Sequence, residues 1–136
     1  MSVVIRLILV AGCTMLVGQA YAKECWGLTN LKGQMAASTD KYVFVPDAFS
    51  NPMVLCFNDD NTGTVTGDDT QFVRFGTSTL FGWVTNKGIE LVETYQIDRV
   101  NGKVLFVKSR IGTATVLPGG PDVVSAFVGT ATRIKE

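Results

Sequence analysis

From Lys41 onward the chain alternates between short apolar runs and turn-forming residues. The runs are rich in Val, Ile, Phe, Thr and Tyr, and the interruptions hold Asn, Asp, Gly and Pro. This is the pattern of β-strands joined by tight turns, and no window has the sustained spacing of an amphipathic helix. The pattern predicts strands over 41–45, 53–57, 62–66, 70–75, 79–85, 88–98, 103–112 and 123–134.

The pattern is less regular before Lys41. A first strand is expected over 24–29, around Trp26, and residues 31–38 are expected to hold a turn or a short helix. Further along, Asn101-Gly102 separates two alternating runs. This pair predicts a two-residue hairpin turn, because both residues tolerate positive φ.

Strands at such short intervals favour an all-β fold, an antiparallel up-and-down meander of about eight strands. Several strands are apolar on both faces: Val104 and Phe106 lie on one side of their strand, Leu105 and Val107 on the other. An open sheet would expose one of these faces, whereas closure buries more apolar surface and removes the sheet edges. A small barrel is therefore predicted, with a β-sandwich as the alternative.

The first residues have the pattern of an export signal. Arg6 precedes an apolar run of about twelve residues, and Ala20-Tyr-Ala22 has the form of a signal-peptidase site. We expect a signal peptide over 1–22 and a single all-β domain over 23–136, in a periplasmic or secreted protein. The alternative is a lipoprotein, because Val10-Ala-Gly-Cys13 resembles the site at which bacterial lipoproteins are cut and acylated. Membrane attachment is expected only if Cys13 carries lipid.

Charge and cysteine content change this picture in two ways. Without Arg6 the chain has eleven basic and twelve acidic side chains, so nucleic acid is not an expected partner. Cys25 and Cys56 remain as an even pair in a chain bound for an oxidising compartment. Such a pair predicts one disulfide.

The residues that usually carry catalysis are scarce. The chain contains no histidine, which removes the usual general base near neutral pH and the commonest zinc ligand. With both cysteines in a disulfide, no thiolate nucleophile is expected. We therefore expect a non-enzymatic protein without a cofactor.

The acidic segment from Asn58 to Asp69 invites comparison with a calcium loop, because its oxygen-bearing residues and Gly63 follow EF-hand spacing. Asn stands where the first Asp is expected, Asp69 stands where Glu is usual, and no helices flank the segment. Asn and Asp also favour turns through hydrogen bonds to their own backbone. We predict a turn and no metal site.

Glu93 is the one carboxyl group in an apolar setting. It shares a strand face with Ile89, Leu91, Tyr95 and Ile97 by the two-residue period. A carboxyl group there needs a partner or water, so it could orient a ligand, be neutralised by an arginine, or face solvent after a bulge. The candidate ligand contacts are Glu93, Tyr95, Trp83 and Phe106; the aromatic ones also suit a core.

The arrangement resembles the lipocalin-like (calycin) barrels of exported bacterial proteins. Three features carry the resemblance: Trp26 in the first strand, the meander of about eight strands, and Arg133 in the last strand. Cys25-Trp26-Gly27 stands where that family has Gly-x-Trp. The resemblance implies that Arg133 stacks on Trp26 at the closed end, and that a small apolar ligand binds in the barrel mouth.

Two functions follow from these expectations. The first is an exported binding protein for a small apolar ligand, with room in the barrel left by Gly82, Ala126, Gly129 and Ala131. The second is a periplasmic inhibitor or immunity-type module that binds an envelope protein, with the acidic turns facing a basic target. An aromatic-lined cavity larger than roughly 300 Å³ would favour the first. A solid barrel with an exposed apolar patch would favour the second.

Overall fold

The fold is an antiparallel β-barrel, as the apolar pattern predicts. A computed structural model describes residues 21–135, and within that range it shows strands and two short 3₁₀ turns, Ser38–Asp40 and Thr113–Thr115. The strands are β1 (Glu24–Ala37), β2 (Val45–Phe49), β3 (Met53–Phe57), β4 (Thr62–Val65), β5 (Asp68–Phe75), β6 (Thr79–Asn86), β7 (Ile89–Asp98), β8 (Lys103–Ile111) and β9 (Val123–Ile134).

Consecutive strands pair from β3 to β9, and β1 pairs with both β3 and β9. This closes an eight-stranded up-and-down barrel, to which β2 is an extra strand. One end of the barrel carries the turns 58–61, 76–78 and 99–102 together with the start of β1. We call it the arginine end. The opposite end carries the turns 66–67 and 87–88 and the connection 112–122, and we call it the mouth.

β1 is longer than predicted and bends in its middle. Asn30 has left-handed backbone (φ 53°), and the register with β9 shifts between Thr29 and Lys32. Residues before the bend pair with β3, and residues after it pair with β2. The expectation of a turn or short helix over 31–38 is therefore wrong for 31–37, where pairing on both sides outweighs weak local propensity.

The predicted strand over 41–45 is also displaced. Lys41 and Tyr42 both have positive φ and end the 3₁₀ turn, so the strand begins only at Val45 and continues through Pro46. The other predicted strands are confirmed to within about two residues at either end.

The two-residue hairpin turn lies at Lys87-Gly88 and not at Asn101-Gly102. Lys87 and Gly88 both have positive φ (48° and 88°) between the paired residues Asn86 and Ile89. The prediction for Asn101-Gly102 is wrong, because Asp98 pairs with Lys103 and the turn has four residues, 99–102. The Asp98 carboxylate accepts hydrogen bonds from the Val100 and Asn101 amides. This wider turn carries Arg99 out over the arginine end.

The barrel interior is filled by side chains from every barrel strand. Phe57, Leu28, Leu31, Leu55, Leu80 and Val104 have almost no exposed surface. The expectation of an open lumen next to small residues is wrong. A Cβ at Gly82 would lie 2.6–2.8 Å from Thr70 and Phe72, and one at Gly129 would lie 2.8 Å from Thr29 O. Ala126 is exposed and Ala131 is packed in the core.

The predicted disulfide is confirmed. Cys25 and Cys56 are directly opposite in the β1–β3 register and their sulfurs are bonded. Since their strand neighbours Trp26 and Leu55 are buried, the alternation of strand side chains places the disulfide on the outer side of the wall.

The acidic segment is turn structure, as predicted. It forms two separate turns, one on each side of β4. In the first, Asp60 accepts hydrogen bonds from the amide and hydroxyl of Thr62, and Asn61 has left-handed backbone. Asp60 therefore stabilises its own turn.

Candidate functional site

Glu93 is buried inside the barrel, close to the mouth. Its neighbours in register are Gly82 on β6 and Lys108 on β8, and its side chain has no exposed surface. Thr70 donates its hydroxyl hydrogen to Oε1, and Lys108 Nζ lies 3.4 Å from Oε2. Despite this ion pair, Oε2 makes no hydrogen bond of acceptable geometry within residues 21–135. Oε2 therefore has an opposite charge nearby but lacks the hydrogen bond that a buried polar atom normally has.

The surroundings favour the protonated carboxyl group. Burial raises the pKa of Glu93, and the nearby Asp68 carboxylate raises it further. The hydrogen bond from Thr70 and the charge of Lys108 lower this pKa, but they do not cancel the effect of burial.

Beneath the carboxyl layer lies a layer of aromatic rings. Tyr95 stacks on Phe106 with centroids 4.2 Å apart, and Phe106 stacks on Phe127 at 5.8 Å. Phe49 from β2 packs on Phe127 at 4.8 Å. Burial raises the pKa of the Tyr95 hydroxyl far above its ordinary value, and the carboxylates of Glu93 and Asp68 act in the same direction. Tyr95 is therefore neutral near pH 7 and offers an apolar ring with a polar tip.

A cavity of about 220 Å³ opens above these rings. It lies between the β2–β3 segment, which contributes Phe49 and Met53, and the turn that joins β4 to β5. Its lining comprises Phe49, Met53, Thr66, Gly67, Asp68, Asp69, Tyr95, Phe106 and Lys108. We call Asp68, Glu93, Tyr95, Phe106 and Lys108 the mouth site, because contacts between them join the cavity to the buried carboxyl group.

The structure brings together three of the four predicted ligand contacts. Glu93, Tyr95 and Phe106 are neighbours in the mouth site. Trp83 does not belong with them, because it is 51% exposed on the outer side of β6. The inner face of β6 carries Leu80 and Gly82, so the strand period places Trp83 outside. It borders a separate outer groove of about 540 Å³ together with Thr70 and Phe72.

The sequence analysis missed Asp68, Thr70 and Lys108. Lys108 had a usable pattern, because Val104 and Phe106 precede it at the same two-residue spacing as the Glu93 face. Asp68 and Thr70 had no such pattern, since both lie where the pairing of β4 with β5 shifts register. Only tertiary pairing brings them to Glu93.

The predicted pair at the opposite end is replaced by another arginine. Trp26 and Arg133 are opposite in the β1–β9 register, but the Arg133 side chain is 64% exposed. The guanidinium above Trp26 belongs to Arg99, 5.4 Å from the ring centroid. Stacking of Arg133 on Trp26 is therefore wrong. Arg99 reaches the ring because the turn 99–102 has four residues and overhangs the end of the barrel.

Glu24 joins the charges of the arginine end. Arg99 donates hydrogen bonds to both carboxylate oxygens of Glu24, and Arg74 and Arg133 each approach it to 3.8 Å. The hydrogen bond from Arg99 is the main reason that the pKa of Glu24 lies below its ordinary value. Arg74 is buried, and its Nη1 donates to the backbone oxygens of Ala22 (3.0 Å) and Asn58 (3.3 Å).

Comparison with protein-family models, with curated proteins and with solved structures finds no match to this chain. Within residues 21–135, no three acidic or cysteine side chains are grouped so that they could hold a metal ion. A search of the same residues for a helix long and apolar enough to cross a membrane finds none.

Proposed function

We propose that the chain is an exported, non-enzymatic binding protein that holds a small ligand at the mouth of its barrel. The observation that carries this proposal is the buried Glu93 carboxyl group, with one oxygen lacking a hydrogen bond, near a cavity lined by polar residues and by the rings of Phe49, Tyr95 and Phe106. Buried polar atoms are normally paired. Glu93 does not line the cavity itself, but Asp68, Tyr95 and Lys108 do, and Lys108 Nζ lies 3.4 Å from Glu93 Oε2. A ligand with a polar group would therefore act on the carboxyl group through these neighbours.

The dimensions of the site restrict the ligand. At about 220 Å³ the cavity is smaller than the roughly 300–1,000 Å³ typical of drug-sized ligands, and the barrel below it is filled. A lipid-length chain therefore has no place in the interior. The size of the cavity also does not favour a small ligand over a protein partner, and the buried Glu93 carboxyl group is what supports the ligand. The rings of Phe49 and Phe106 suit a compact apolar body, while Lys108 and the carboxyl groups suit a polar head.

Export is part of this proposal. Its support is the sequence of residues 1–22, of which 1–20 lie outside the described residues, together with the Cys25–Cys56 disulfide. Acylation of Cys13 remains the alternative, and Cys13 also lies outside the described residues. Membership of the lipocalin-like barrels likewise stays a proposal, supported by the up-and-down closure alone, because the arginine above Trp26 comes from the turn after β7 and not from the last strand.

The test is native mass spectrometry of protein isolated without denaturant from the cells that make it. We expect a bound small molecule, released in Glu93→Gln and in Phe49→Ala, which changes a cavity wall. Trp83→Ala is the matched control, because it removes an aromatic ring outside the cavity, and it should retain the ligand. The proposal is overturned if wild-type protein carries no small molecule and a small-molecule panel gives no thermal shift that these mouth variants abolish.

A second candidate, binding of an envelope protein, is favoured by the outer wall. On β5 to β9 this surface exposes Val73, Phe81, Trp83, Val92, Leu105, Val107 and Val128. The register places Val73 beside Phe81, Trp83 beside Val92, and Leu105 beside Val128. Apolar side chains in contiguous positions of this kind mark interaction surfaces more often than isolated ones do.

Capture of envelope proteins on immobilised chain tests this second candidate. A partner that binds wild type should be lost with Val107→Lys, in the middle of the outer wall, and kept with Phe49→Ala. Equal capture by wild type and Val107→Lys would exclude the outer wall as the binding surface.

A further inference from the structure

The arginine end concentrates positive charge in a chain whose net charge is zero. Two adjoining cavities, of about 310 and 390 Å³, lie between the start of β1 and the end of β9. Both are lined by Lys23, Glu24 and Arg133; one also has Lys135, and the other has Arg74 and Arg99. The two cavities are thus lined by five basic side chains and one carboxylate.

These cations fall into two groups. Arg74 and Arg99 are held by the structure, since they donate to backbone oxygens and, for Arg99, to the Glu24 carboxylate. Arg133 is largely exposed, and its Nη2 lies 3.8 Å from Glu24 Oε2. Within residues 21–135, Lys23 and Lys135 have no carboxylate at ion-pair distance. Three cations at the rim therefore remain available to an anion from solvent.

Two other acidic groups at this end, Asp60 and Asp98, are directed toward their own turns. Asp60 accepts hydrogen bonds from Thr62, and Asp98 accepts them from Val100 and Asn101. These bonds hold the pKa of both carboxyl groups below the ordinary value, so both are ionised but turned toward their own turns. Glu136, which follows Lys135, lies outside the described residues and is included in the experiment below.

We propose that the arginine end binds a phosphate-type oxyanion between Lys23, Arg133 and Lys135, with Arg74 and Arg99 supplying a fixed positive field behind it. A guanidinium fork matches the oxygens of phosphate, and ammonium groups add charge without demanding one geometry. The site is independent of the mouth site and lies at the opposite end of the barrel. Inorganic phosphate, a phosphate ester or a phospholipid headgroup would all present the same chemistry.

Titration of the purified protein with inorganic phosphate at constant ionic strength, balanced with chloride, tests the site. We expect saturable binding by calorimetry and a rise in melting temperature that chloride does not give. Arg133→Glu with Lys135→Glu should weaken binding at least roughly tenfold, a change of about 1.4 kcal/mol. The control Lys32→Glu with Lys87→Glu makes the same charge change away from the site and should bind as wild type. Lys135→Ala, at an exposed terminal position, should fold normally and weaken binding several-fold.

Two further arms identify the source of the phosphate and examine the last residue. Sedimentation with phosphatidylcholine vesicles, with and without phosphatidic acid, shows whether a lipid headgroup supplies the anion. Weaker binding of Lys135→Ala, to phosphate in the titration or to phosphatidic acid in the sedimentation, supports the site. Glu136→Gln should leave binding intact or strengthen it. The proposal is overturned if neither phosphate nor phosphatidic acid binds, if the Lys32/Lys87 control loses as much as Arg133/Lys135, or if Glu136→Gln abolishes binding.

Discussion

At the residue scale, the barrel shifts the pKa values of Glu24 and Glu93 in opposite directions. Glu24 meets three arginines and its pKa is lowered, chiefly by the hydrogen bond from Arg99, whereas burial raises the pKa of Glu93. The folded state therefore favours the ionised form of Glu24 and the protonated form of Glu93. The two side chains make contributions to stability that change in opposite directions with pH.

Glu93→Gln should isolate one of these contributions. Because the folded pKa of Glu93 lies above its unfolded value, folded protein binds the proton more tightly, and stability falls as pH rises from the unfolded pKa through the folded one. Glutamine does not ionise and so removes this loss. The free energy of unfolding of the variant, relative to that of wild type, should therefore increase as pH rises. Urea unfolding of both proteins from pH 4 to 8 measures the difference; parallel stability curves would mean that burial does not perturb Glu93.

Arg99→Ala and Arg133→Ala separate the two arginines near Trp26. Loss of Arg99 removes charged hydrogen bonds to the largely buried Glu24 and the contact above Trp26, so we expect a cost of about 2–3 kcal/mol. Loss of the exposed Arg133 should cost no more than about 0.5 kcal/mol. Denaturant melts give both values, and a larger cost for Arg133 would restore the stacking that the sequence predicts.

The stability of the Arg99→Ala variant should also depend less on acid pH than the stability of wild type does. Glu24 stabilises the fold above its unfolded pKa, and this stabilisation is lost as pH falls through the lowered folded pKa. The difference in unfolding free energy between wild type and Arg99→Ala should therefore shrink as pH falls from 5 to 2. A difference that stays constant over that range would show that Arg99 acts through packing alone.

At the element scale, what the sequence could predict depends on how locally each strand is determined. β5 to β9 alternate cleanly and end in turn-forming residues, so their positions follow from the pattern alone. β1 and β2 do not, because the bend at Asn30 and the two partners of β1 depend on closure of the barrel. The mouth site divides in the same way: Glu93, Tyr95 and Phe106 follow from strand period, while Asp68 is brought there by a register shift.

The disulfide links β1 to β3 at the arginine end, and its removal gives a prediction for these elements. Cys25→Ser with Cys56→Ser frees a loop whose ends are 31 residues apart, and we expect a loss of about 3 kcal/mol on the chain-entropy account. Thermal melts of the variant, beside wild type with and without reductant, measure it. Reduced wild type should match the variant; equal stability of oxidised and reduced wild type would show that strand pairing alone fixes β1 on β3.

At the scale of the whole molecule, closure makes folding depend on distant contacts. Cys25 pairs with Ile134, so the first and last strands must meet before the barrel has a continuous wall. Barrels dominated by such pairings fold in roughly milliseconds to seconds, slower than helical domains of similar size. Stopped-flow refolding with the disulfide intact should fall in that range, and microsecond refolding would indicate that closure is not limiting.

The contact between Arg74 and Ala22 has a consequence for removal of the leader. The Ala22 carbonyl belongs to the peptide bond at which the leader is expected to be cut, and in the folded chain it accepts a hydrogen bond from a buried arginine. Ala22 and Lys23 are both exposed, so this hydrogen bond is what a protease would have to break in a precursor that has already folded. The cut would take the Ala22 carbonyl away from Arg74, which would keep the carbonyls of Asn58 and Gly76 as acceptors. Loss of the leader would therefore change the surroundings of a buried charge.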